Sequence, residues 1–477
     1  MITFIVCLAL LIAAYFLYGG LLSRIAKLDK SADVPSKSMY DGVDYMPLPR
    51  WRIFLIQLLN IAGTGPIFGA ILGACYGPVA FLWITLGGIF MGAMHDFFAG
   101  VISVRHGGKS LPETIGIYLG GGMRKLALVI IPILMVLVGG VFIVTPSEIL
   151  ASMTGAPYMV WVAIIIVYYF IATIMPVDKI IGKIYPIFGA ALIFMALAML
   201  GVVLFGGYDI PELTSVENLH YKADKLPIVP TLFISIACGA ISGFHATQSP
   251  LMARCVTSET QARPIFFGAM IAESVIALIW AAVAMAFFGG IEGLNGWMAV
   301  NGDAAGLAVS TISKTTLGVA GSILALLGVV AAPVTSGDTA FRSARLIVAD
   351  MLNFDQKPIW KRLVVSLPLF AVGIGIAFID FDVIWRYFAW SNQALSVFTL
   401  WMITAWLMRR RSRFVFLALI PALMMTYICS SFVFVSNQFV GMGSVDAAYV
   451  YGGAVAAVIA GLFIVKIRKI NRNETNI

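Results

Sequence analysis

The chain has 477 residues, of which 61% are hydrophobic and only 11% are charged, whereas soluble domains carry roughly 25% charged residues. Apolar windows of about 20 residues recur along the whole sequence, which indicates a polytopic membrane protein and argues against a soluble globular domain. The formal net charge of +8 is therefore interpreted as basic loops on one side of a membrane, and no nucleic-acid partner is expected.

Thirteen apolar segments are long enough to cross a bilayer. Their approximate limits are 2–22, 53–76, 79–104, 125–146, 158–175, 184–206, 228–250, 264–288, 316–341, 361–379, 382–408, 413–434 and 446–465. If the N-terminus lies outside, nearly every Lys and Arg falls on the inside, and only Lys222, Lys225 and Lys314 fall outside. Because basic loop residues favour the cytoplasm, this distribution predicts an extracytoplasmic N-terminus and a cytoplasmic C-terminus.

Two sequence features concern the segments between and within these spans. Ser110 and Glu113 have the spacing of a capping box, with Pro112 in the first turn. They predict a short cytoplasmic helix over 113–119, with a short re-entrant helix as the alternative. The five cysteines lie in or beside apolar segments without metal-finger spacing, and are interpreted as packing thiols.

Two of the apolar segments are interrupted midway by glycine and proline. The interruptions read NIAGTGPIFG at residues 60–69 and CGAISGFHATQSP at residues 238–250. Unpaired backbone at membrane depth is tolerated only where it is enclosed by protein or lines a cavity. Paired breaks in two halves of a chain point to the substrate site of a transporter. The alternative is that these glycines only kink helices or let them approach closely.

Counted from the first broken span, five spans precede five of opposite orientation, which is an inverted repeat. The predicted fold is an all-α integral membrane protein of about 13 transmembrane helices with a 5+5 inverted-repeat core. The predicted repeats are 53–206 and 228–408, joined by an extracytoplasmic loop at 207–227. One helix and a cytoplasmic loop (1–52) precede them, and two helices and a cytoplasmic tail (409–477) follow. This arrangement resembles the leucine-transporter fold of the amino-acid–polyamine–organocation superfamily.

The sequence also resembles the carbon starvation protein A (CstA) family of transporters. The supporting strings are NIAGTGPI (60–67), GAMHDF (92–97), SVRHGGKS (103–110) and SGFHATQ (242–248), with a weaker match at APVTSGDT (332–339). The resemblance implies nutrient uptake across the bacterial inner membrane, with peptides or pyruvate as substrates.

Candidate substrate-binding residues lie in the two breaks and in the middle of the span at 382–408. They are Asn60, Gly63, Thr64, Gly65, Gly239, Ser242, Gly243, His245, Asn392 and Gln393. Amino ends of half-helices suit a substrate carboxylate, and carboxyl ends suit a cation. For Asn392 and Gln393 the alternative is interhelical hydrogen bonding.

Candidate coupling residues are polar or ionisable groups at membrane depth, where such groups are costly and usually functional. They are Thr335, Ser336, Asp338, Thr339, His95, Asp96 and Glu273. The leucine-transporter resemblance implies a cation site at the helix of Asp338; a proton on that carboxyl, or an ion pair with Arg342, is the alternative.

His95 and Asp96 are adjacent, so they are not expected to face the same way on a helix. Together with His245 they are also interpreted as hydrogen-bonded packing residues. No metal site is assigned; a site combining His95, Asp96 and His245 is the alternative.

The predicted function is secondary active transport that imports peptides during nutrient limitation, coupled to a proton or another cation such as sodium. Alternatives are a pyruvate/proton symporter and, in another class, a membrane channel. The sequence has no phosphate-binding loop, His-Glu-x-x-His helix or Gly-x-Ser-x-Gly elbow, so neither ATP-driven transport nor an enzyme is expected. No cofactor is expected, the partners are the substrate and the lipid bilayer, and the coupling ion and oligomeric state stay open.

Overall fold

The computed structural model describes residues 1–42, 44–175, 181–356, 358–379 and 381–474. Within these ranges every regular element is helical, as the composition predicts. The first ten α-helices are α1 (Ile2–Ala26), α2 (Pro35–Ser38), α3 (Arg50–Ala62), α4 (Ala70–Ala74), α5 (Val79–Leu82), α6 (Met94–Arg105), α7 (Leu111–Leu119), α8 (Gly121–Thr154), α9 (Tyr158–Ile174) and α10 (Ile181–Phe205).

Ten more α-helices follow the loop after α10. They are α11 (Phe233–Ser235), α12 (Gly243–Ala253), α13 (Gly268–Phe287), α14 (Ile291–Val300), α15 (Ala305–Ala325), α16 (Ala331–Leu352), α17 (Ile359–Ile376), α18 (Phe381–Arg409), α19 (Phe416–Val435) and α20 (Val445–Glu474). Wider π-helical turns connect several of them, at Gly65–Gly69, Trp83–Ala93, Ile228–Leu232, Arg263–Phe267 and Leu326–Val330.

Eight helices in the described ranges are long and apolar enough to cross a membrane by length and composition, or nine if one bent pair counts as a span. Helices also occupy the predicted spans at 158–175 (α9), 316–341 (α15 and α16) and 382–408 (α18), while the predicted span at 228–250 contains α11 and α12 with a non-helical stretch between them. The all-helical membrane class is confirmed, while the count of thirteen spans stays a prediction.

The first predicted break is present. Helix α3 ends at Ala62, and the chain resumes after Gly63 and Thr64 at an angle of 56°. Gly63 has φ +31°, a conformation that glycine adopts without the steric cost of a Cβ. A Cβ there would also lie 2.7 Å from Cζ of Phe142. This position therefore requires glycine for both conformation and space.

The second break is shorter than predicted. Helix α11 ends at Ser235 and α12 begins at Gly243, so residues 236–242 are non-helical while 243–250 are helical. Pro250 lies inside α12 rather than at its end. A buried transmembrane helix tolerates a proline because neighbouring groups take over the freed backbone carbonyl.

The span predicted at 316–341 is placed differently. The helical run of α15 is interrupted at Gly318 (φ +57°, ψ −140°), and the helix that carries Asp338 continues to Leu352. The predicted span ends too early, at residue 341, because the helix beyond it carries the charged residues Arg342 and Arg345 and therefore does not read as apolar. Both arginines are buried by protein.

The short helix α7 follows the capping-box prediction. It spans Leu111–Leu119, and the backbone N–H of Ser110 donates to Oε2 of Glu113 at 3.1 Å. The reciprocal bond from the Glu113 backbone to the Ser110 side chain completes the box.

The broken helices lie in the protein interior between longer helices. Helix α3 packs against α10, α13 and α16, and α12 packs against α6 and α18. Helix α8 runs along α16. These contacts surround both breaks with protein, which is the setting that membrane-depth backbone without helical bonds requires.

Candidate substrate and coupling site

The two breaks contact each other. A Cβ on Gly65 would overlap Sγ and Cβ of Cys238, and a Cβ on Gly69 would lie 2.6 Å from the carbonyl oxygen of Ser235. The non-helical segment after α11 therefore rests directly on the π-helical turn after Thr64. The absence of side chains on Gly65 and Gly69 is what allows this approach.

Asn392 braces the second break from α18. Its Oδ1 accepts hydrogen bonds from the Ser242 hydroxyl at 2.9 Å and from the backbone N–H of Phe244 at 2.8 Å. Its Nδ2 donates to Sγ of Cys238 at 3.6 Å. Asn392 thus satisfies the amino end of α12, the interhelical role given above as the alternative to substrate binding.

Gln393 and the glycines near the second break also contact neighbouring helices. Nε2 of Gln393 donates to the carbonyl of Phe233 at 3.2 Å, while its Oε1 has no partner in the described chain. A Cβ on Gly239 would lie 2.5 Å from Cβ of Ala277, and one on Gly243 would overlap the backbone of Ser396.

Two polar side chains of the first break lack hydrogen bonds. Both amide atoms of Asn60 and the hydroxyl of Thr64 are buried without a partner among the described residues. A buried polar group left unpaired costs about 1–3 kcal/mol. Asn60 and Thr64 are therefore the predicted substrate residues most ready to accept a polar ligand.

Four ionisable side chains form one fully buried cluster beside the second break. Nδ1 of His95 donates to Oδ1 of Asp96 at 2.8 Å, and Nδ1 of His245 to Oδ2 of Asp96 at 2.8 Å. Nε2 of His245 lies 3.4 Å from Oε2 of Glu273. The expectation that His95 and Asp96 do not face the same way is wrong, since their side chains are hydrogen-bonded to each other.

This cluster holds two carboxyl groups without a nearby permanent cation. Within the described ranges, the ion-pair partners of Asp96 and Glu273 are His95 and His245 alone. Charge on a buried carboxylate is costly without a counter-ion. The cluster therefore needs a proton or a bound cation, as a coupling site would.

The predicted coupling residues of α16 divide between two neighbours. The Ser336 hydroxyl donates to the carbonyl of Leu59 at 2.9 Å, next to the first break. Asp338 instead accepts from the Tyr185 hydroxyl of α10 at 2.6 Å. The hydroxyls of Thr335 and Thr339 donate to carbonyls of their own helix. The four residues do not converge on one point, contrary to the expectation of a single cation site.

The proposed ion pair between Asp338 and Arg342 is absent from the described chain. Nη1 of Arg342 lies 3.5 Å from Oδ1 of Asp44, and its Nη2 donates to the carbonyl of Ala172 at 2.8 Å. Helical spacing brings Asp338 and Arg342 to one side of α16, but each side chain finds a closer partner on another segment.

Two residues of the site are missed by reasoning from sequence. Tyr185 lies in an apolar segment with nothing local to show that it faces Asp338. Cys238 lies in the second break, but its neighbours His245 and Glu273 come from the following helix and from α13, so linear spacing does not reveal them.

Comparison with known proteins decides the family. The family model for the carbon starvation protein CstA matches residues 1–164 and 143–327. The chain belongs to this family. A relative from Haemophilus influenzae, described only as an uncharacterized membrane protein, is 43% identical over 60% of this chain and 91% of its own length.

Functionally named relatives in the CstA family are longer. The peptide transporter CstA of Campylobacter jejuni is 28% identical over 56% of this chain and 47% of its own length. The pyruvate/proton symporter BtsT of Escherichia coli is 27% identical over 56% of this chain and 46% of its own. The matched region thus spans about half the length of these relatives.

Solved structures show the same fold at low sequence identity. A Na⁺-coupled sialic acid symporter is similar with a TM-score of 0.55, 15% identity, and coverage of 95% of this chain and 96% of its own. A manganese transporter of Eremococcus coleocola gives 0.53, 15% identity, and coverage of 91% and 99%. The chain is therefore a multi-pass membrane protein of the CstA family with the leucine-transporter-like fold of membrane transporters.

Proposed function

We propose that this protein is a secondary active transporter of the bacterial inner membrane that imports peptides during nutrient limitation. The observation that carries the proposal is the contact between two broken helices beside a buried ionisable cluster. Relatives named as peptide transporters and as a pyruvate/proton symporter support the same class.

The substrate site proposed here lies at the two breaks. Asn60 and Thr64 offer unpaired polar atoms, and Gly63, Gly65, Gly239 and Gly243 let neighbouring segments pack closely against the backbone of the breaks. Ser242 and His245 border the same place. Asn392 and Gln393 hold the site in shape or contact the substrate from α18.

A peptide suits this surrounding better than pyruvate. A peptide carries a cationic amino group, and the cluster holds Asp96 and Glu273 without a Lys or Arg partner among the described residues. Pyruvate has no cation to place there. Pyruvate transport, the activity that the name of the symporter relative states, is the second candidate function and is tested in the same assay.

Coupling is proposed at two buried acidic positions. Asp338, hydrogen-bonded to Tyr185, and the cluster of His95, Asp96 and Glu273 each provide a carboxyl that exchanges a proton or balances a cation. Ser336 contacts the first break from α16 through the carbonyl of Leu59, and Thr335 and Thr339 lie beside it on the same helix. The proposed topology places the N-terminus outside and the C-terminus in the cytoplasm.

Uptake into proteoliposomes tests the proposal. A labelled dipeptide, pyruvate and an amino acid are offered with an imposed proton gradient, a sodium gradient, or neither. We expect accumulation of the dipeptide under one of the two gradients, and counterflow when the liposomes are preloaded with unlabelled dipeptide. Accumulation of pyruvate alone selects the symporter alternative. Gradient-insensitive flux without counterflow indicates a channel, and no flux of any substrate overturns the proposal.

A further inference from the structure

We infer that Cys238, His245 and Glu273 form a binding site for one divalent transition-metal ion, with a sulfur, a nitrogen and an oxygen ligand. The inference goes beyond the proposed transport function, which requires no metal.

The three ligands come from different segments and meet in one place. Cys238 lies in the break before α12, His245 in the first turn of α12 and Glu273 in α13. One ligand atom from each lies within 4.8 Å of the others, and all three residues are buried. A thiolate, an imidazole and a carboxylate together are ligands typical of divalent ions of intermediate softness, such as zinc and cobalt.

The spacing of the nitrogen and oxygen matches a bound ion. Nε2 of His245 and Oε2 of Glu273 are 3.4 Å apart. That is too long for a good N–H···O hydrogen bond. Two ligand atoms each about 2.1 Å from a tetrahedral zinc ion lie about 3.4 Å apart. The pair is therefore already at the separation that a metal ion would impose.

The hydrogen-bond pattern leaves this pair without a donor. Asp96 as a carboxylate only accepts, so Nδ1 of His245 carries the hydrogen of their 2.8 Å bond. In the neutral imidazole, Nε2 then presents a lone pair, and an ionised Glu273 carboxylate presents only acceptor oxygens to it. Neither Nε2 of His245 nor either Glu273 oxygen has a hydrogen-bond partner among the described residues. A cation between them removes an otherwise repulsive contact.

Asp96 and His95 complete an outer shell. A metal-bound imidazole commonly donates its other N–H to a carboxylate, which fixes the ring and raises its basicity. Asp96 is such a carboxylate, because its Oδ2 accepts a hydrogen bond from Nδ1 of His245. Its other oxygen, Oδ1, accepts from Nδ1 of His95 at 2.8 Å. The alternative metal set of His95, Asp96 and His245 is therefore replaced: the Nδ1 atoms are occupied, and Cys238 and Glu273 supply the direct ligands.

Metal binding also accounts for the surroundings of Cys238. The thiol loses its proton when it binds an ion, and the resulting negative charge on the sulfur is met by Nδ2 of Asn392, which donates to Sγ at 3.6 Å. Three protein ligands leave one position of a tetrahedral ion open. That open position would adjoin the helix break.

Binding of Co²⁺ to purified protein in lipid nanodiscs tests the site. Chelator-treated protein is incubated with Co²⁺, and metal content is also measured on protein from cells grown with added Co²⁺. We expect one ion per chain and the charge-transfer absorption of a cobalt–thiolate bond. Cys238→Ser should remove that absorption, and Glu273→Gln should weaken binding by at least 10-fold. Asp96→Asn should weaken it by about 10- to 100-fold while keeping the thiolate absorption.

Matched controls keep the outcome decisive. Cys429→Ser alters another buried thiol, in α19, and should leave both stoichiometry and absorption unchanged. Thermal unfolding of each variant separates loss of the site from loss of the fold, and Glu273→Gln decides if Cys238→Ser does not fold. No cobalt in either preparation, or a thiolate absorption that persists in Cys238→Ser, overturns the inference. Because the readout is metal rather than uptake, it stands or falls separately from peptide transport.

Discussion

Asp338 is fully buried in α16 and has one hydrogen-bond donor in the described chain, the Tyr185 hydroxyl at 2.6 Å. Its other oxygen, Oδ1, has no partner there. A carboxyl group with one good donor and one free oxygen is suited to gain and lose a proton as its surroundings change. This geometry favours a coupling role over the structural ion pair with Arg342.

We expect Asp338→Asn to abolish gradient-driven accumulation while substrate binding persists. Asparagine keeps the size of the side chain and accepts from Tyr185, but it neither carries an exchangeable proton nor balances a cation. Tyr185→Phe, which removes the donor and keeps the carboxyl group, should reduce accumulation less. Uptake and binding measured on the same purified variants check both statements.

The Arg342→Gln substitution provides the control for the Asp338 prediction. If Asp338 and Arg342 formed a structural pair, the double variant would recover what Asp338→Asn loses. Because Arg342 contacts Asp44 and Ala172 instead, we expect no recovery. Full accumulation by Asp338→Asn would remove this residue from coupling and turn attention to Glu273 and His245.

Asp44, in the loop between α2 and α3, has a different kind of environment. Burial alone would raise the pKa of Asp44. The positive charges of Arg342, Arg345 and Arg254 outweigh this effect and hold the pKa of Asp44 below its ordinary value. A lowered pKa in the folded state stabilises the fold above the unfolded pKa of about 3.9, and this contribution is lost as pH falls through the folded pKa.

We therefore expect Asp44→Asn to lower the apparent melting temperature at pH 7, because the surrounding arginines lose a carboxylate counter-ion, at a cost of about 1 kcal/mol for a partly exposed ion pair. The difference from wild type should shrink as pH falls below about 4, where Asp44 of the unfolded chain begins to take up a proton, and should vanish below the lower pKa of the folded state. Asp33→Asn, an exposed carboxylate before α2, is the matched control and should change little. Equal melting temperatures of wild type and Asp44→Asn at pH 7 would contradict the stabilising contact.

At the scale of elements, the breaks depend on close backbone approach. A side chain on Gly65 would overlap Cys238, and one on Gly243 would overlap backbone atoms of Ser396 and Asn392. The Cys238 side chain can rotate away from an added side chain, but the backbone of Ser396 and Asn392 cannot. A substitution at Gly243 should therefore be tolerated less well than one at Gly65. The glycines thus hold α4, α12 and α18 at the distance that the site needs.

We expect Gly65→Leu and Gly243→Leu to abolish uptake, while the proteins still insert into the membrane. Overpacking of a dense interior costs about 1–3 kcal/mol or more and would push the breaks apart. Gly461→Leu in α20 is the matched control, because nothing lies within 4 Å of the position of its added Cβ. Uptake at the wild-type rate by well-expressed Gly65→Leu or Gly243→Leu would remove the breaks from the transport cycle.

How far the sequence predicts these elements depends on how local their causes are. Gly63 and Pro66 mark the first break, and Ser110 and Glu113 mark the start of α7, because a few neighbouring residues determine each feature. The end of the second break at Gly243 is set by Asn392, which is remote in sequence and satisfies the amino end of α12. Contacts such as Tyr185 with Asp338 depend on how whole helices pack, which hydrophobic periodicity does not specify.

For the whole molecule, the first loop joins segments that are distant in sequence. The Ser36 hydroxyl donates to the carbonyl of Val256 at 2.5 Å, and the backbone N–H of Leu48 donates to the carbonyl of Cys255 at 3.1 Å. The Arg254 guanidinium lies over the Tyr45 ring, 4.9 Å from its centre. This loop therefore covers the end of α12, on the side that the basic-residue distribution assigns to the cytoplasm.

The same arrangement gives a direct test of membrane orientation. All five native cysteines are buried, so cysteines introduced into loops should be labelled against a low background. We expect a membrane-impermeant maleimide to label Ser215→Cys, in the exposed segment before α11, in intact cells freed of the outer membrane. Lys30→Cys, exposed in the first loop, should be labelled only after the inner membrane is permeabilised.

The reason for this expectation is the uneven distribution of basic residues between the two sets of loops, which fixes orientation through retention of Lys and Arg in the cytoplasm. The cysteine-containing parent protein serves as the background control, and a cysteine at both positions in one chain tests that labelling does not depend on expression level. Labelling of Lys30→Cys from outside, with Ser215→Cys protected, would invert the topology. Labelling of both positions from the same side would instead mean that the number of spans between them is even rather than odd.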